Sequence, residues 1–185
     1  MRRCRLCGLK PGAHAVFGRF DGPEWMLVGQ APGEREAALG RPFAGPAGRR
    51  LFEWLKRAGF EEEEFRSRCY VTAMMKCFPG KGGRGDLRPS RWQVENCAPF
   101  LEQEMEIVRP RVLIPVGGLA IGRFLGRRPL AETIGRRFLV EYAGRVITVV
   151  PLPHPSGASA WTNLAGNRRR LGRALRLLKR ADGRG

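Results

Sequence analysis

The chain has 185 residues, of which 43% are hydrophobic, and this length and composition fit one globular domain with a full core. Its formal charge of +17 comes from 34 basic and 17 acidic residues, and lysine occurs only five times. This arginine-rich excess favours a polyanionic partner, above all nucleic acid. The longest apolar runs are too short to span a membrane, and the first residues do not form a signal peptide. We therefore expect an intracellular protein without a membrane partner, cytoplasmic and associated with the nucleoid.

The first half of the chain predicts two strands, each followed by a loop, with a helix between them. In chain order, we expect a strand at 26–29, a loop at 30–45, a helix over 51–58, a solvated acidic turn at 61–64, a strand at 69–75 and a loop at 78–89. Gly59 ends the helix, because glycine is the residue that most often follows a helix C-terminus.

The second half begins with a capping box, Ser90 with Gln93, which predicts the start of a long helix. Its apolar stripe consists of Val94, Cys97, Leu101, Met105 and Val108. We then expect a strand at 112–116, a helix at 119–125, paired strands at 138–142 and 146–150, a loop at 151–166 and a C-terminal helix carrying Leu171, Leu175 and Leu178. This alternation predicts one α/β domain over residues 1–181, with a mainly parallel central sheet and a tail at 182–185.

Four of the five cysteines form a candidate metal site. Cys4 and Cys7 form a C-x-x-C at the N-terminus, and Cys77 and Cys97 flank the basic loop 78–89. An odd number of cysteines in an intracellular chain favours metal chemistry over a disulfide framework. Four thiolates suit zinc or an iron–sulfur cluster, and the spacing leaves both open. Cys69, in a predicted strand, is interpreted as a buried structural thiol.

The three long loops follow predicted strands, and in an open α/β sheet ligands bind beyond the carboxyl ends of the strands. In the first loop, Ala31 and Gly33 allow a ligand to approach the backbone, Glu36 can orient a water and Phe43 can stack on a planar base. Neither a Walker loop nor a G-x-G-x-x-G motif is present, so a plain structural turn is the alternative interpretation.

His154 opens the third loop between two prolines, directly after a predicted strand. A rigidly held imidazole in this place can donate a hydrogen bond to developing negative charge. The alternative is a histidine whose ring is satisfied by nearby backbone. His14 has no comparable setting and is interpreted as an ordinary surface or packing residue.

Taken together, the segments GQAPGE, GRPFAG, YVTAMMKC and HPS, with the four cysteines, resemble the uracil-DNA glycosylase superfamily, in particular its iron–sulfur type, family 4. The resemblance runs from Cys4 to the C-terminal helix. It implies a three-layer α/β/α fold with a central, mainly parallel four-stranded sheet. It also implies a [4Fe-4S] cluster on Cys4, Cys7, Cys77 and Cys97. The gap between Cys77 and Cys97 is slightly longer than usual in the family, and an insert at 80–85 accounts for it.

The resemblance also implies roles for individual residues. His154 and Glu36 correspond to catalytic positions, the first stabilising the leaving base and the second activating water or stabilising the sugar cation. Substrate-binding positions are Gln30, Ala31, Gly33, Phe43, Ala73 and Asn163, with Phe43 stacking on the flipped base. DNA-binding positions are Arg84, Arg88, Ser156 and Arg168, and Trp161 or Leu164 is the candidate to fill the vacated place in the duplex.

The chain departs from the family pattern at the base pocket. Gln30 stands where family 4 usually has Glu, and Ala73 replaces the Asn that distinguishes uracil from cytosine. We therefore expect a monomeric, monofunctional DNA glycosylase acting on uracil or another deaminated base. One alternative is an iron–sulfur relative that captures damaged or single-stranded DNA without efficient excision. A second is a zinc-clipped nucleic-acid module without base chemistry.

Overall fold

The structure is a computed structural model, and it describes residues 4–10, 12–83, 85–157 and 160–183. The helices are α1 (Glu34–Leu39), α2 (Pro46–Lys56), α3 (Glu62–Arg68), α4 (Arg91–Val108), α5 (Gly118–Leu125), α6 (Leu130–Thr133) and α7 (Ala165–Ala181), with a 3₁₀ turn at Ala160–Asn163. The strands are β1 (Trp25–Gly29), β2 (Cys69–Ala73), β3 (Lys81–Gly82), β4 (Gly85–Asp86), β5 (Val112–Pro115), β6 (Phe138–Tyr142) and β7 (Arg145–Val149). Among these described helices, none is both long and apolar enough to cross a membrane.

The central sheet has the strand order β2-β1-β5-β7-β6. The first four strands are parallel, and β6 pairs antiparallel with β7 at the edge. The expected α/β fold with a mainly parallel sheet is confirmed, but the sheet has five strands rather than four. The fifth strand belongs to the predicted hairpin, in which Ala143 and Gly144 both adopt positive φ, as a tight two-residue turn between antiparallel strands requires.

The core lies on both faces of the sheet. Every residue of β1, β2 and β5 is buried, which is the pattern of parallel strands covered by helices on each side. The amphipathic helices α2, α4 and α7 each turn a row of buried apolar residues towards the strands. The N-terminal segment lies against β2, since the amides of Val16 and Gly18 donate to Lys76 O and Val71 O at 2.8 and 2.7 Å.

The capping box of α4 is confirmed. The Gln93 side chain accepts from the Ser90 amide at 2.9 Å, and the Ser90 hydroxyl accepts from the Gln93 amide at 3.4 Å. The last residue of α7 is Ala181, and the predicted tail begins with Asp182, whose carboxylate accepts a hydrogen bond from Arg68 Nη1 at 3.1 Å.

Several predictions about loops are wrong. Residues 30–45 are not entirely loop, because they contain α1 (Glu34–Leu39), and residues 151–166 contain the 3₁₀ turn Ala160–Asn163. The acidic run 61–64 is not a turn, because Glu62, Glu63 and Glu64 form the first turn of α3, where carboxylates are favoured by the positive end of the helix dipole. Residues 78–89 are not entirely loop, because β3 and β4 pair as a small hairpin. Gly80, directly before β3, and Gly85, the first residue of β4, have φ of 113° and 114°, a conformation that other residues rarely adopt.

Candidate active site

The loop after β1 turns its single buried carboxylate inward. Glu36 is 8% exposed although it lies on the short helix α1. Its Oε1 accepts a hydrogen bond from the Gly45 amide at 2.8 Å, across the width of the loop. A Cβ built on Gly33 would lie 2.8 Å from Glu36 Oε2. The Gly45 amide therefore fixes the position of the carboxylate. The carboxylate has room there only because Gly33 has no side chain.

The aromatic residue of the same loop folds back over the end of β1. Phe43 has a φ of 51°, a left-handed conformation that is uncommon for a residue with a side chain. A Cβ on Gly29 would meet the Phe43 ring at 2.9 Å, and a Cβ on Gly48 would meet the Phe43 carbonyl oxygen at 1.8 Å. Two glycines therefore make the room in which this ring lies across the carboxyl end of β1.

The hairpin β3–β4, which follows β2, lies on the first loop. Lys81 of β3 forms an ion pair with Glu34 of α1 at 2.6 Å. Asp86 of β4 reaches the N-terminus of α1, since a Cβ on Gly33 would lie 2.6 Å from Asp86 Oδ2. The hairpin thus brings a second carboxylate towards Glu36. Arg84, a predicted DNA contact, lies outside the described residues.

The loop after β7 positions His154 against the end of β5. A Cβ on Gly117, which has a φ of 84°, would lie 3.0 Å from His154 Cδ2. The Ser156 amide donates to His154 Nδ1 at 3.3 Å, which makes Nδ1 an acceptor and leaves the proton of the neutral ring on Nε2. Burial, reinforced by the positive charge of Arg88, lowers the pKa of His154 below 6.5. The imidazole is therefore neutral at pH 7, with Nε2–H as a hydrogen-bond donor.

The charge of Arg88 acts on His154, so the exposed segment after β4 reaches the third loop as well as the first. The three loops therefore meet at one edge of the sheet, as the sequence predicts. Gln30 belongs to the same edge, because its carbonyl oxygen accepts from the Met75 amide at 3.1 Å just beyond the end of β2. Gln30, Ala31, Gly33, Phe43 and His154 are each half-buried there.

Ala73 ends β2 and is 7% exposed. Its carbonyl oxygen accepts a hydrogen bond from Lys76 Nζ at 2.7 Å, and its methyl group offers no hydrogen bond to a base.

Asn163 ends the 3₁₀ turn, and Arg168 lies near the start of α7. Asn163 is exposed, and its carbonyl oxygen accepts from Arg168 Nη1 at 2.5 Å. The turn is tied to α2 by a hydrogen bond from Arg50 Nη2 to Thr162 Oγ1 at 3.2 Å. Trp161 packs partly against the core, whereas Leu164 is 65% exposed.

The four cysteines of the candidate metal site are neighbours in space. Burial first, and then the charges of Cys97, Cys4 and Cys7, raise the pKa of Cys77 to about 11. Burial first, and then the charges of Cys97 and Cys4, raise the pKa of Cys7. Asn96 Nδ2 donates to Leu6 O at 3.4 Å and so ties the C-x-x-C segment to α4.

A metal-binding geometry is not formed by these side chains. Within the described ranges, no group of three or more His, Cys, Asp or Glu side chains is arranged to hold a metal ion. The donor set itself, four cysteine thiols in mutual electrostatic contact, suits an iron–sulfur cluster or zinc. Cys69 is apart from them in β2 and 2% exposed, and burial raises the pKa of its thiol.

Sequence reasoning missed a buried ion pair beneath the site. Lys76 is 1% exposed, and its Nζ donates to Glu104 Oε2 at 2.6 Å and to Thr72 Oγ1 at 2.9 Å. Glu104 also accepts from the Tyr70 hydroxyl at 3.0 Å. Burial lowers the pKa of Lys76, and the charge of Glu104 opposes that shift. The only signal in the sequence was a glutamate, Glu104, placed within the apolar stripe of α4.

The fold and this edge of the sheet define a class of protein. The sequence profile of the Uracil DNA glycosylase superfamily matches residues 17–179, and the chain belongs to that superfamily.

Within the superfamily, several curated relatives are type-4 enzymes. The chain is 31% identical to the type-4 uracil-DNA glycosylase of Archaeoglobus fulgidus over 83% of its own length and 76% of the relative. It is 35% identical to the type-4 uracil-DNA glycosylase of Pyrobaculum aerophilum, over 71% of this chain and 65% of that one. A type-5 uracil-DNA glycosylase of the same organism is 33% identical over 71% of this chain and 60% of its own length.

Proposed function

We propose that this protein is a monofunctional DNA glycosylase that flips uracil or another deaminated base out of DNA and hydrolyses its N-glycosidic bond, leaving an abasic site. The observation that carries the proposal is that three groups lie at the carboxyl edge of one parallel sheet. These are the Phe43 ring, the buried Glu36 carboxylate and the neutral His154 imidazole. The type-4 names of the relatives and the family membership support the same activity.

The reaction begins with base flipping, which costs a few kcal/mol of lost stacking. Arg88 and Arg168 are exposed beside the cleft and bind phosphates, and the Ser156 hydroxyl is placed to do the same. Leu164, which is 65% exposed, fills the vacated place in the duplex, because Trp161 is engaged with the core. The flipped base stacks on Phe43, between the backbone of Ala31 and Gly33 and the side chains of Gln30 and Asn163. The protein acts as a monomer on DNA at the nucleoid.

Bond cleavage then separates charge between the sugar and the base. The glycosidic bond lengthens towards an oxocarbenium-like sugar and an anionic base, and His154 Nε2–H donates to the base oxygen that gains the charge. Glu36 holds the attacking water and faces the sugar cation with its negative charge. Its fixed hydrogen bond to the Gly45 amide means that no reorganisation is needed during the reaction.

One experiment distinguishes base excision from DNA binding without excision. The protein is incubated with oligonucleotides that contain uracil, hypoxanthine or xanthine, followed by alkali to cleave abasic sites. Cleavage with at least one base, reduced about 10²-fold or more in His154→Ala, supports the proposal. Binding without cleavage supports the alternative of a protein that captures damaged or single-stranded DNA, which Ala73 and Gln30 favour. An undiminished rate in His154→Ala contradicts the electrostatic role of that residue.

The four thiols are proposed to hold a [4Fe-4S] cluster, which would brace the N-terminal segment and the hairpin loop against α4 and has no part in the excision steps. Metal and acid-labile sulfide are measured on protein purified without air. Cys97→Ser is expected to lose iron, whereas Cys69→Ala, a buried cysteine apart from the site, is expected to keep it. Stoichiometric zinc without iron would overturn the cluster and favour the zinc-clipped module.

A further inference from the structure

Arg66, on α3, is bound to the backbone of the loop that carries Phe43. Its Nη1 donates to Pro42 O at 2.9 Å, and its Nη2 donates to Phe43 O at 3.1 Å. One planar guanidinium therefore bridges two consecutive carbonyl groups, immediately before and at the residue with left-handed backbone. Neither oxygen belongs to a helix or strand that could otherwise satisfy it.

The guanidinium is itself held on its remaining sides. Its Nε donates to Glu62 Oε1 at 2.9 Å, one turn earlier on α3, and its Cζ lies 4.3 Å from the centre of the Phe52 ring. The side chain is only 11% exposed. Burial lowers the pKa of Arg66, but arginine stays charged at neutral pH. The Arg66 guanidinium is therefore pre-organised, and its side chain loses little entropy when it binds the loop.

Phe43 cannot hold its conformation alone. A left-handed residue with a side chain is disfavoured by roughly 1–2 kcal/mol, and Phe43 gains no helix or strand hydrogen bond in return. Its carbonyl oxygen lies in a narrow space, bounded by Gly48 on one side and Arg66 on the other. The backbone conformation of Phe43 determines the direction of its ring. The ring lies across Gly29, at the end of β1.

We propose that Arg66 is a positioning residue that fixes the Phe43 ring in the plane on which the flipped base stacks. This inference rests on the proposed function, because it assigns Phe43 the stacking role. Arg66 does not touch the base, so its effect passes through Phe43 alone. Since every base presents a flat face, the loss of Arg66 lowers excision of all accepted bases by a similar factor and leaves the preference among them unchanged.

The test is a double-mutant cycle with single-turnover excision of the best substrate. Lysine has one compact ammonium and cannot bridge two carbonyl groups and Glu62 together, so Arg66→Lys is expected to slow excision about tenfold or more. In a Phe43→Leu background the same change is expected to cost less than about twofold, because the ring it positions is gone. Arg68→Lys, on the same helix but 43% exposed, is the matched control and is expected to keep the rate.

A second measurement does not depend on excision. Amide hydrogen exchange is followed in the free proteins at residues 41–45, where Arg66→Lys is expected to raise exchange and Arg68→Lys is not. If the wild-type protein excises no base, the proposed function fails, and exchange alone still decides whether Arg66 fixes the loop. An equal loss of rate in both Phe43 backgrounds, or unchanged exchange in the loop, would overturn the positioning role.

Discussion

His154 combines a half-buried imidazole, a backbone N–H directed at Nδ1 and a nearby arginine, and all three disfavour the protonated ring. The neutral form therefore prevails from about pH 7 upwards, and a neutral donor needs no protonation step. We expect the single-turnover excision rate to be flat between about pH 7 and about pH 8. A rate that falls about tenfold per pH unit across this range would instead identify a protonated general acid.

The same shift predicts a pH dependence of stability. Between its lowered folded pKa and 6.5, His154 binds more protons in the unfolded chain than in the folded one. The stability it contributes is therefore present above pH 6.5 and lost as the pH falls through the folded pKa. Urea unfolding of wild type and His154→Asn is expected to show a difference that shrinks as the pH falls below 6.5. A difference that grows instead would contradict the sign of the shift.

A substitution at Ala73 is expected to change which base the protein prefers. Ala73 is 7% exposed at the end of β2, and an asparagine there offers both a donor and an acceptor to a base. Sites built on such contacts discriminate by up to roughly 10⁴-fold in the strongest cases. We expect Ala73→Asn to raise the ratio of kcat/KM for uracil over that for hypoxanthine. An unchanged ratio, in a variant with normal unfolding free energy, would show that other groups read the base.

The segment that follows β2 is joined to α4 by the buried pair of Lys76 and Glu104. Removing one partner leaves the other charge buried and alone, which costs about 3–5 kcal/mol. Glu104→Leu is therefore expected to lower the free energy of unfolding by about that amount, and Lys76→Met with Glu104→Leu by clearly less. The measurement is the urea midpoint together with the slope of the transition.

Glu102 provides the matched control on the same helix. It pairs with Arg123 at 2.8 Å, but both side chains are more than 40% exposed. Exposed pairs contribute about 0–1 kcal/mol, so Glu102→Leu is expected to have a small effect. Equal losses in Glu102→Leu and Glu104→Leu would mean that helix propensity, rather than the buried pair, determines the result.

The elements that sequence patterns predicted are those with local causes. The start of α4 follows from Ser90 and Gln93, three residues apart, and the β6–β7 turn follows from two adjacent residues with positive φ. The convergence of the loops follows from the parallel sheet. The misread features depend on distant partners instead. The acidic run 61–64 binds Arg41 of the first loop, and the hairpin is held by Glu34. Such pairs leave no periodic signal in the chain.

The charge of +17 is spread along the chain, but the proposed base site lies at the carboxyl edge of the sheet. The arginines that contact phosphate are therefore expected to lie near the carboxyl ends of the parallel strands. Arg88 meets this condition, since its charge acts on His154, and Arg168 lies in the first turn of α7, which follows the loop after β7. Arg145 does not meet the condition, since it begins β7 and so lies at the opposite edge.

DNA binding measured against salt concentration distinguishes these arginines. Each phosphate contact contributes about −0.9 to the slope of log K against log salt, because one condensed counterion is released. Arg88→Ala and Arg168→Ala are each expected to weaken binding and reduce that slope by about one, and Arg145→Ala is expected to leave it unchanged. A slope that falls equally in all three variants would mean that the protein binds DNA through its total charge rather than through one face. The cleft would then receive its base by diffusion along the duplex, without a fixed register on the phosphates.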